Sequence, residues 1–262
     1  MCEFFSCVSD GKGKIMYFDW ELRKKILNKE LDYEPDSHTS IADYFGYKGK
    51  KEDKLNKYEY NPLTKKFTID QLNIKDDSKQ VETFCNKLDF KTIIAPLIIK
   101  PIVNPLLGKP KKVTEKEIEL LKQWASVWDS VRDSVRDSIW DSVRDSVGDS
   151  VWNSVWASVW DSVWDSVRDS IWDSVRASVW DSVWDSVRDS VRDSVRASVR
   201  ASVWDSVWAY YSTFFDIQYN HDLSSCAELW NSGFVPSFDG KKWRLHSGKN
   251  AKIVYEMKSL GK

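Results

Sequence analysis

Residues 125–208 read ASVW-DSVR-DSVR-DSIW-DSVR-DSVG-DSVW-NSVW-ASVW-DSVW-DSVR-DSIW-DSVR-ASVW-DSVW-DSVR-DSVR-DSVR-ASVR-ASVW-DSVW, a four-residue unit repeated 21 times without a shift of register. Serine fills the second position of every unit, and valine fills the third except at Ile139 and Ile171. The first position is aspartate in 15 units, whereas the fourth is tryptophan in 11, arginine in nine and glycine at Gly148. Invariant positions predict an interior, and positions that alternate between aromatic and charged side chains predict a surface or a rim.

The composition of this array favours strands joined by corners. Valine followed by tryptophan or arginine is typical of a strand, and Asp-Ser is typical of a turn because both side chains hydrogen-bond to nearby backbone. We therefore expect a β-solenoid between α+β terminal regions, with three or four units per coil and valine stacked on valine. The alternative is that the array folds as short α-helices or helical hairpins, since helical patterns adjoin both of its ends.

One long helix is disfavoured on two grounds. Residues four apart advance about 40° beyond a full turn of an α-helix, so a valine stripe would wind around it. Aspartates would also recur at i, i+4, which is a repulsive spacing. In either fold, one buried valine per unit cannot offset the entropy lost in ordering four residues, so the tryptophans must be buried at least in part.

The sequence outside the array divides into short regions. They are an N-terminal α+β domain (1–92), a Pro-rich extended linker (93–113), a helical entry (114–124), the array itself (125–208), an aromatic cap (209–219) and a small C-terminal α+β region (220–262). Asp10-Gly11-Lys12-Gly13 predicts the turn of a first hairpin, and residues 61–64 predict the turn of a second. Thr114 and Glu117 have the spacing of a capping box, which predicts a helix start.

Charge and cysteine content narrow the class of protein. The net charge is −1, but 15 aspartates and nine arginines give the array −6 and leave the flanks at +5. Neither balance predicts nucleic-acid or membrane binding by bulk charge. The four cysteines, Cys2, Cys7, Cys85 and Cys226, form no CxxC pair, which favours free thiols. No secretion-signal pattern opens the sequence and no apolar run reaches about 18 residues, so we expect a cytoplasmic protein without a membrane partner.

Candidate catalytic residues are few. Neither a nucleophile-elbow, a phosphate-binding-loop nor a zinc-protease motif is present, and we predict no catalytic residue, metal or cofactor. Asp36 and His38 flank Ser37 in a loop, where a histidine could act as a base or a ligand, although a cluster that caps a helix start is the favoured interpretation. Together with His221, they are the residues that an enzyme hypothesis would test first.

The array itself is the better candidate for function. Tryptophan and arginine are the residue types enriched at binding hot spots. We therefore expect a non-enzymatic scaffold or interaction protein whose most favoured partner is a protein, unless the tryptophans only pack on each other. A nucleic-acid-binding or acidic DNA-mimicking role, self-association through the array and a small enzyme in a terminal region are the alternatives. The candidate binding residues are Trp152, Trp156, Trp160, Trp164, Arg188, Arg192, Arg196 and Arg200.

Four segments carry a resemblance to known sequences. They are SHTSIADYFG (37–46), NKYEYNP (56–62), the SVWDSVR array and VPSFDGKKWRLHSG (235–248). In this combination the chain resembles a group of tetrapeptide-repeat proteins found in gut bacterial and phage sequences. The resemblance implies a mobile-element or viral setting, hence the cytoplasm of a bacterial host, and it implies no particular activity.

Overall fold

The array forms α-helices and not the expected β-solenoid. The computed structural model describes residues 5–131, 135–180 and 190–259, and within these ranges every array residue except Gly148 is helical. The described chain is a mixed α/β protein whose two small antiparallel sheets lie outside the array. The β-solenoid prediction is therefore wrong.

The described elements follow one another in a simple order. The strands are β1 Phe5–Ser9, β2 Ile15–Met16, β3 Asn56–Asn61, β4 Lys66–Gln71, β5 Val235–Phe238, β6 Lys242–Ser247 and β7 Lys252–Lys258. The α-helices are α1 Trp20–Leu27, α2 His38–Tyr44, α3 Ser78–Cys85, α4 Phe90–Ile93, α5 Glu115–Val131, α6 Val135–Val147, α7 Asp149–Trp180, α8 Ser190–Ser212 and α9 Ser224–Ser232. Short 3-10 turns cover Gly49–Lys54 and Lys249–Ala251.

The helices of the array are amphipathic in register with the repeat. From Val131 to Val175, every third-position side chain that the structure describes is buried. The first position is exposed at Asp129, Asp141 and Asp161, among others. The buried stripe is therefore made by the third position, which recurs at every fourth residue along the helix. Burial of this stripe outweighs the modest helix propensities of Asp, Ser and Val.

Serine hydroxyl groups of the array donate hydrogen bonds to backbone carbonyls of the preceding helical turn. The hydroxyl of Ser146 donates to the carbonyl of Ser142 at 2.7 Å, and that of Ser158 donates to the carbonyl of Ser154 at 2.7 Å. In α8, the hydroxyl of Ser206 donates to the carbonyl of Val203 in the same way, at 2.8 Å. A serine whose hydroxyl donates a hydrogen bond to a carbonyl of the preceding turn can be buried without an unpaired polar group. This explains why serine is tolerated beside the valine stripe.

Helix α7 is longer than either expectation allowed. It spans 32 residues, so it is not one of the short helices that were the alternative to strands. Its valine stripe winds by about 40° per unit, yet Val151 and Val175 at its two ends both have 0% exposure. The first ten residues of α7, up to Ser158, belong to one compact unit and the others to a second. A winding stripe therefore meets different neighbours along the helix.

Gly148 separates α6 from α7 and is the one glycine of the array. Its φ is +82°, a left-handed conformation that favours glycine at a helix end. Its amide donates to the carbonyl of Arg144 at 2.9 Å, and its own carbonyl accepts from the amide of Trp152 at 3.1 Å. A Cβ at this position would lie 3.3 Å from the side chain of Leu27. The departure from the repeat is therefore explained by backbone conformation and by close packing.

The first compact unit contains the N-terminal sheet. It is made of residues up to Pro101, Asp141–Ser158 and Phe214–Ile217, and its strands lie in the order β2-β1-β3-β4. On one face, the ring of Phe90 in α4 contacts those of Phe5 and Tyr60 at centroid distances of 5.4 and 5.7 Å. The buried core on the other face includes side chains of β1, α1 and α2. Both hairpins predicted from the sequence are confirmed.

The second compact unit is organised by aromatic side chains. It is made of Ile102–Trp140, Val159–Thr213 and the residues from Gln218 onward, and its sheet has the order β5-β6-β7. Trp128 of α5 packs edge-on against Trp243 of β6 at 5.3 Å and donates its indole proton to Asp205 of α8 at 2.7 Å. Tyr210 and Trp230 stack at 4.9 Å. Of these tryptophans only Trp128 belongs to the array, and its burial agrees with the expectation that tryptophans of the array are buried at least in part.

Candidate functional site

A groove on α8, in the second unit, carries the only predicted arginines whose side chains the structure describes. Its volume is about 470 Å³, and its lining residues are Arg196, Ala197, Arg200, Ala201 and Trp204. Both arginines are exposed and the tryptophan is half-buried. Successive arginines lie one helical turn apart, about 6 Å along the axis. We call these five residues the basic groove.

The basic groove is basic because two units of the array lack their aspartate. Ala197 and Ala201 occupy first positions, and residues 194–204 contain no acidic residue. Elsewhere in the array an aspartate usually follows each arginine directly, and Arg136 pairs with Asp137 in this way at 2.7 Å. An alanine after Arg196 and after Arg200 removes that neighbouring carboxylate. The residue that follows each of these two arginines is therefore uncharged.

Aromatic contacts support the tryptophan of the groove. The rings of Trp204 and Trp160 of α7 meet edge to face with a centroid distance of 5.0 Å. Trp204 also lies 6.4 Å from Trp208, which in turn contacts Tyr211 at 5.4 Å. A side chain held by neighbouring rings offers its remaining surface to a partner with little further loss of conformational freedom.

The other predicted binding residues are distributed unevenly. Trp152, Trp156 and Trp160 are half-buried on α7, so they do not form an open aromatic face. The structure brings Trp160 to the basic groove through its contact with Trp204. Arg188 lies outside the described residues, and the side chains of Trp164 and Arg192 are likewise outside the described part of the structure.

The predicted polar cluster at Asp36 and His38 serves the fold of the first unit. Asp36 accepts two hydrogen bonds from the guanidinium of Arg23, at 2.5 and 3.0 Å, and both side chains are buried. Ser37 caps α2 by accepting from the amide of Ser40. The ring of His38 contacts the carbonyl of Tyr58 at 3.0 Å. Of these three residues, only Ser37 caps the helix, whereas Asp36 and His38 bond to other parts of the first unit.

A cleft of about 820 Å³ surrounds Gly148 in the same unit. Its lining combines apolar side chains with both signs of charge, including Ile26, Leu27, Lys29, Glu34, Pro35 and Asp149. Since carboxylates and an ammonium group line it together, the cleft favours neither sign of ligand.

A second polar network joins the N-terminal sheet to the start of α3. The carboxylate of Asp77 accepts hydrogen bonds from Ser9, from the phenol of Tyr58 at 2.6 Å and from Asn56 at 3.0 Å. Burial alone would raise the pKa of Asp77, but these three donors outweigh it and hold the pKa below its usual value. Burial and the neighbouring carboxylate both raise the pKa of Tyr58. The carboxylate is already satisfied, so the network is structural.

The C-terminal sheet contains a serine–histidine pair that no local pattern in the sequence predicts. Nδ1 of His246 lies 2.9 Å from the carbonyl of Ala251, which can only accept, so Nδ1 carries the proton. The hydroxyl of Ser237 therefore donates to Nε2 at 2.8 Å. This is the contact of an activated nucleophile, but both side chains have 0% exposure and a substrate could not reach them. The pair holds β5, β6 and the turn before β7 together.

His246 should make the stability of the protein pH-dependent. Burial lowers its pKa to about 4, whereas the pKa of a histidine in the unfolded chain is about 6.5. Between these values the unfolded chain binds a proton that the folded chain does not, so stability is full above the upper value and falls as the pH drops. We expect a loss of about 2 kcal/mol between pH 6.5 and 5, in urea unfolding curves.

A matched pair of variants isolates that contribution. His246→Gln keeps a donor and an acceptor but cannot titrate in this range, so most of the loss should disappear. The matched control is His221→Gln, which replaces a half-buried histidine outside the C-terminal sheet. Equal pH dependence in the two variants would contradict the assignment to His246.

Other kinds of site are absent from the described ranges. Within residues 5–131, 135–180 and 190–259, no group of three His, Cys, Asp or Glu side chains is placed to hold a metal ion. None of the helices in these ranges combines the length and the apolar composition that a membrane span requires. Cys7, Cys85 and Cys226 are buried free thiols, and burial raises the pKa of Cys226, which makes it unreactive. Cys2 lies outside the described residues.

Comparison with protein-family models, with curated proteins and with solved structures gives no match to this chain.

Proposed function

We propose that the protein is a non-enzymatic interaction protein that binds an acidic segment of a protein partner through the basic groove. The observation that carries the proposal is the exposed pair Arg196 and Arg200 beside Trp204, in a groove whose described lining holds no carboxylate. Arginine and tryptophan supply much of the binding energy at protein interfaces. The partner's carboxylates would meet the guanidinium groups, and its apolar side chains would cover the exposed edge of the tryptophan.

A protein partner fits the charge distribution better than a nucleic acid does. Binding to a phosphate backbone needs a track of cations that extends over several nucleotides. The basic groove offers two arginines, and the sequence places Asp193 before it and Asp205 after it. The array as a whole is acidic, which opposes a long polyanion more than a short segment with two carboxylates.

The proposal predicts salt-dependent capture of a defined acidic helix. The probe is a fluorescent helical peptide with a glutamate at every fourth residue, and the matched control peptide has glutamine at those positions. We expect the glutamate peptide to bind at low ionic strength and the glutamine peptide to bind at least about tenfold more weakly. The double variant Arg196→Ala, Arg200→Ala should lose the difference, whereas Arg136→Ala, which removes an exposed arginine of α6, should retain it. Fluorescence anisotropy measures each affinity.

Two outcomes would overturn the proposal. Equal binding of both peptides, or unchanged binding by the double variant, would show that the arginines do not recognise carboxylates. Tighter binding of oligothymidylate than of the glutamate peptide, with a steep dependence on salt, would assign the groove to single-stranded nucleic acid instead.

A further inference from the structure

We infer that the acidic partner of the basic groove is a second copy of this chain, which presents the acidic face of its α6. This inference builds on the proposed function, because it names the occupant of the same groove. Asp141 and Asp145 lie one turn apart on α6 and both are exposed. We call them the acidic pair.

The acidic pair is available for contact. Asp141 forms no ion pair with any described side chain. Asp145 forms a long ion pair with Arg144, whose Nε lies 3.8 Å from a carboxylate oxygen, which is beyond hydrogen-bond distance. Exposed carboxylates held this loosely can accept a new cationic partner at little cost.

The spacing of the two charge pairs is the same because both come from one repeat. Arg196 and Arg200 are four residues apart on a helix, and so are Asp141 and Asp145, so each pair spans about 6 Å. Two helices from different copies can therefore align both arginines with both aspartates in a single register. If the charged residues were spaced four apart on one helix and five apart on the other, only one arginine could meet an aspartate.

The basic groove and the acidic pair are different patches, so the contact is heterologous. A heterologous contact leaves one groove and one acidic pair unused in every dimer, and further copies can add to them. Two exposed charge pairs and one partly covered tryptophan make a weak interface, which salt should screen. We therefore expect reversible growth beyond the dimer as concentration rises, and its loss at high ionic strength.

Sedimentation velocity of the full chain tests this inference. The measurement covers a range of protein concentrations at about 0.02 M and about 0.5 M salt. One variant reverses the groove (Arg196→Glu, Arg200→Glu) and another reverses the acidic pair (Asp141→Lys, Asp145→Lys). Each should weaken self-association at least about tenfold. An equimolar mixture of the two should restore it, because each groove then meets an acidic pair or reversed pair of opposite charge on the other variant. The control, Asp161→Lys, adds a positive charge at an exposed position outside both patches.

Each result decides the inference. Restored association in the mixture, with the control associating as the unmodified chain does, supports it. A monomer at every concentration and salt, or association that the two reversals leave unchanged, overturns it. A monomeric chain that still binds the glutamate peptide through its arginines would overturn this inference alone and leave the proposed function standing. All five substituted positions are exposed, and unchanged circular dichroism verifies that each variant is folded.

Discussion

Val155→Asp is expected to abolish the cooperative unfolding transition, or to lower the free energy of unfolding by at least about 4 kcal/mol. The side chain of Val155 has 0% exposure in the first unit. An aspartate there would be buried in an apolar stripe without a cation, and a buried unpaired charge is among the most destabilising changes known. Chemical denaturation followed by circular dichroism measures the effect.

The repeat supplies a matched control two residues away. Ala157→Asp also introduces an aspartate into α7, but at an exposed first position where most units of the array carry that residue. It should change stability by less than about 1 kcal/mol, mainly through helix propensity. If Val155→Asp prevents folding, Val155→Ala keeps the comparison measurable, at a cost on the order of 2 kcal/mol. Equal effects of the two aspartates would show that the third position does not face the core.

The array shows why its own sequence misled the prediction of its fold. Asp-Ser is typical of turns because the serine hydroxyl competes for backbone groups, and that property favours corners between strands. In the helices the same hydroxyl bonds to its own preceding turn, as in Ser146 and Ser158, so it no longer opposes helix formation. The adjacent pair of Val and a large residue fits a helical stripe as well as a strand. The length of the element and its burial against the rest of the protein decide between helix and strand. Neither property can be read from a unit of four residues.

The ends of the chain were more predictable, because their signals are local. The turn at Asp10-Gly11-Lys12-Gly13 joins β1 and β2 as expected. Asp19 caps α1 by accepting from the amide of Leu22 at 3.0 Å. The predicted capping box is confirmed, since the carboxylate of Glu117 accepts from the amide of Thr114 at 3.0 Å. Each of these features depends on residues within four positions of one another.

The candidate site could be predicted from the sequence only in part. The sequence alone shows that residues 194–204 contain no acidic residue. This feature distinguishes Arg196 and Arg200 from most other arginines of the array. The support of Trp204 by Trp160 could not be predicted, because it joins residues 44 positions apart across two helices. The pair of Ser237 and His246 needed the register of the β5–β6 hairpin, which places the two side chains diagonally on one face of the sheet.

Gly248→Ala is expected to lower the free energy of unfolding by more than about 3 kcal/mol, because strain and a backbone clash act together. Gly248 has φ +70° and ψ −179°, a region that only glycine adopts readily. A Cβ there would lie 2.3 Å from the backbone nitrogen of Pro110, in the Pro-rich segment. That segment is held by hydrogen bonds from the amide of Gly248 to Pro105 at 3.0 Å and from the amide of Lys249 to Gly108 at 2.9 Å. The added methyl group would force the segment away and break these bonds.

Gly46→Ala separates the clash from the strain. Gly46 also has a positive φ, +89°, but a Cβ there would meet no atom within 4 Å. Only the left-handed conformation is then penalised, and the loss should be about 1–2 kcal/mol in the same urea titration. The difference between the two variants measures how firmly the Pro-rich segment is packed against the turn between β6 and β7. If Gly248→Ala cost no more than Gly46→Ala, the segment would have to yield freely, and the two hydrogen bonds that hold it would contribute little to stability.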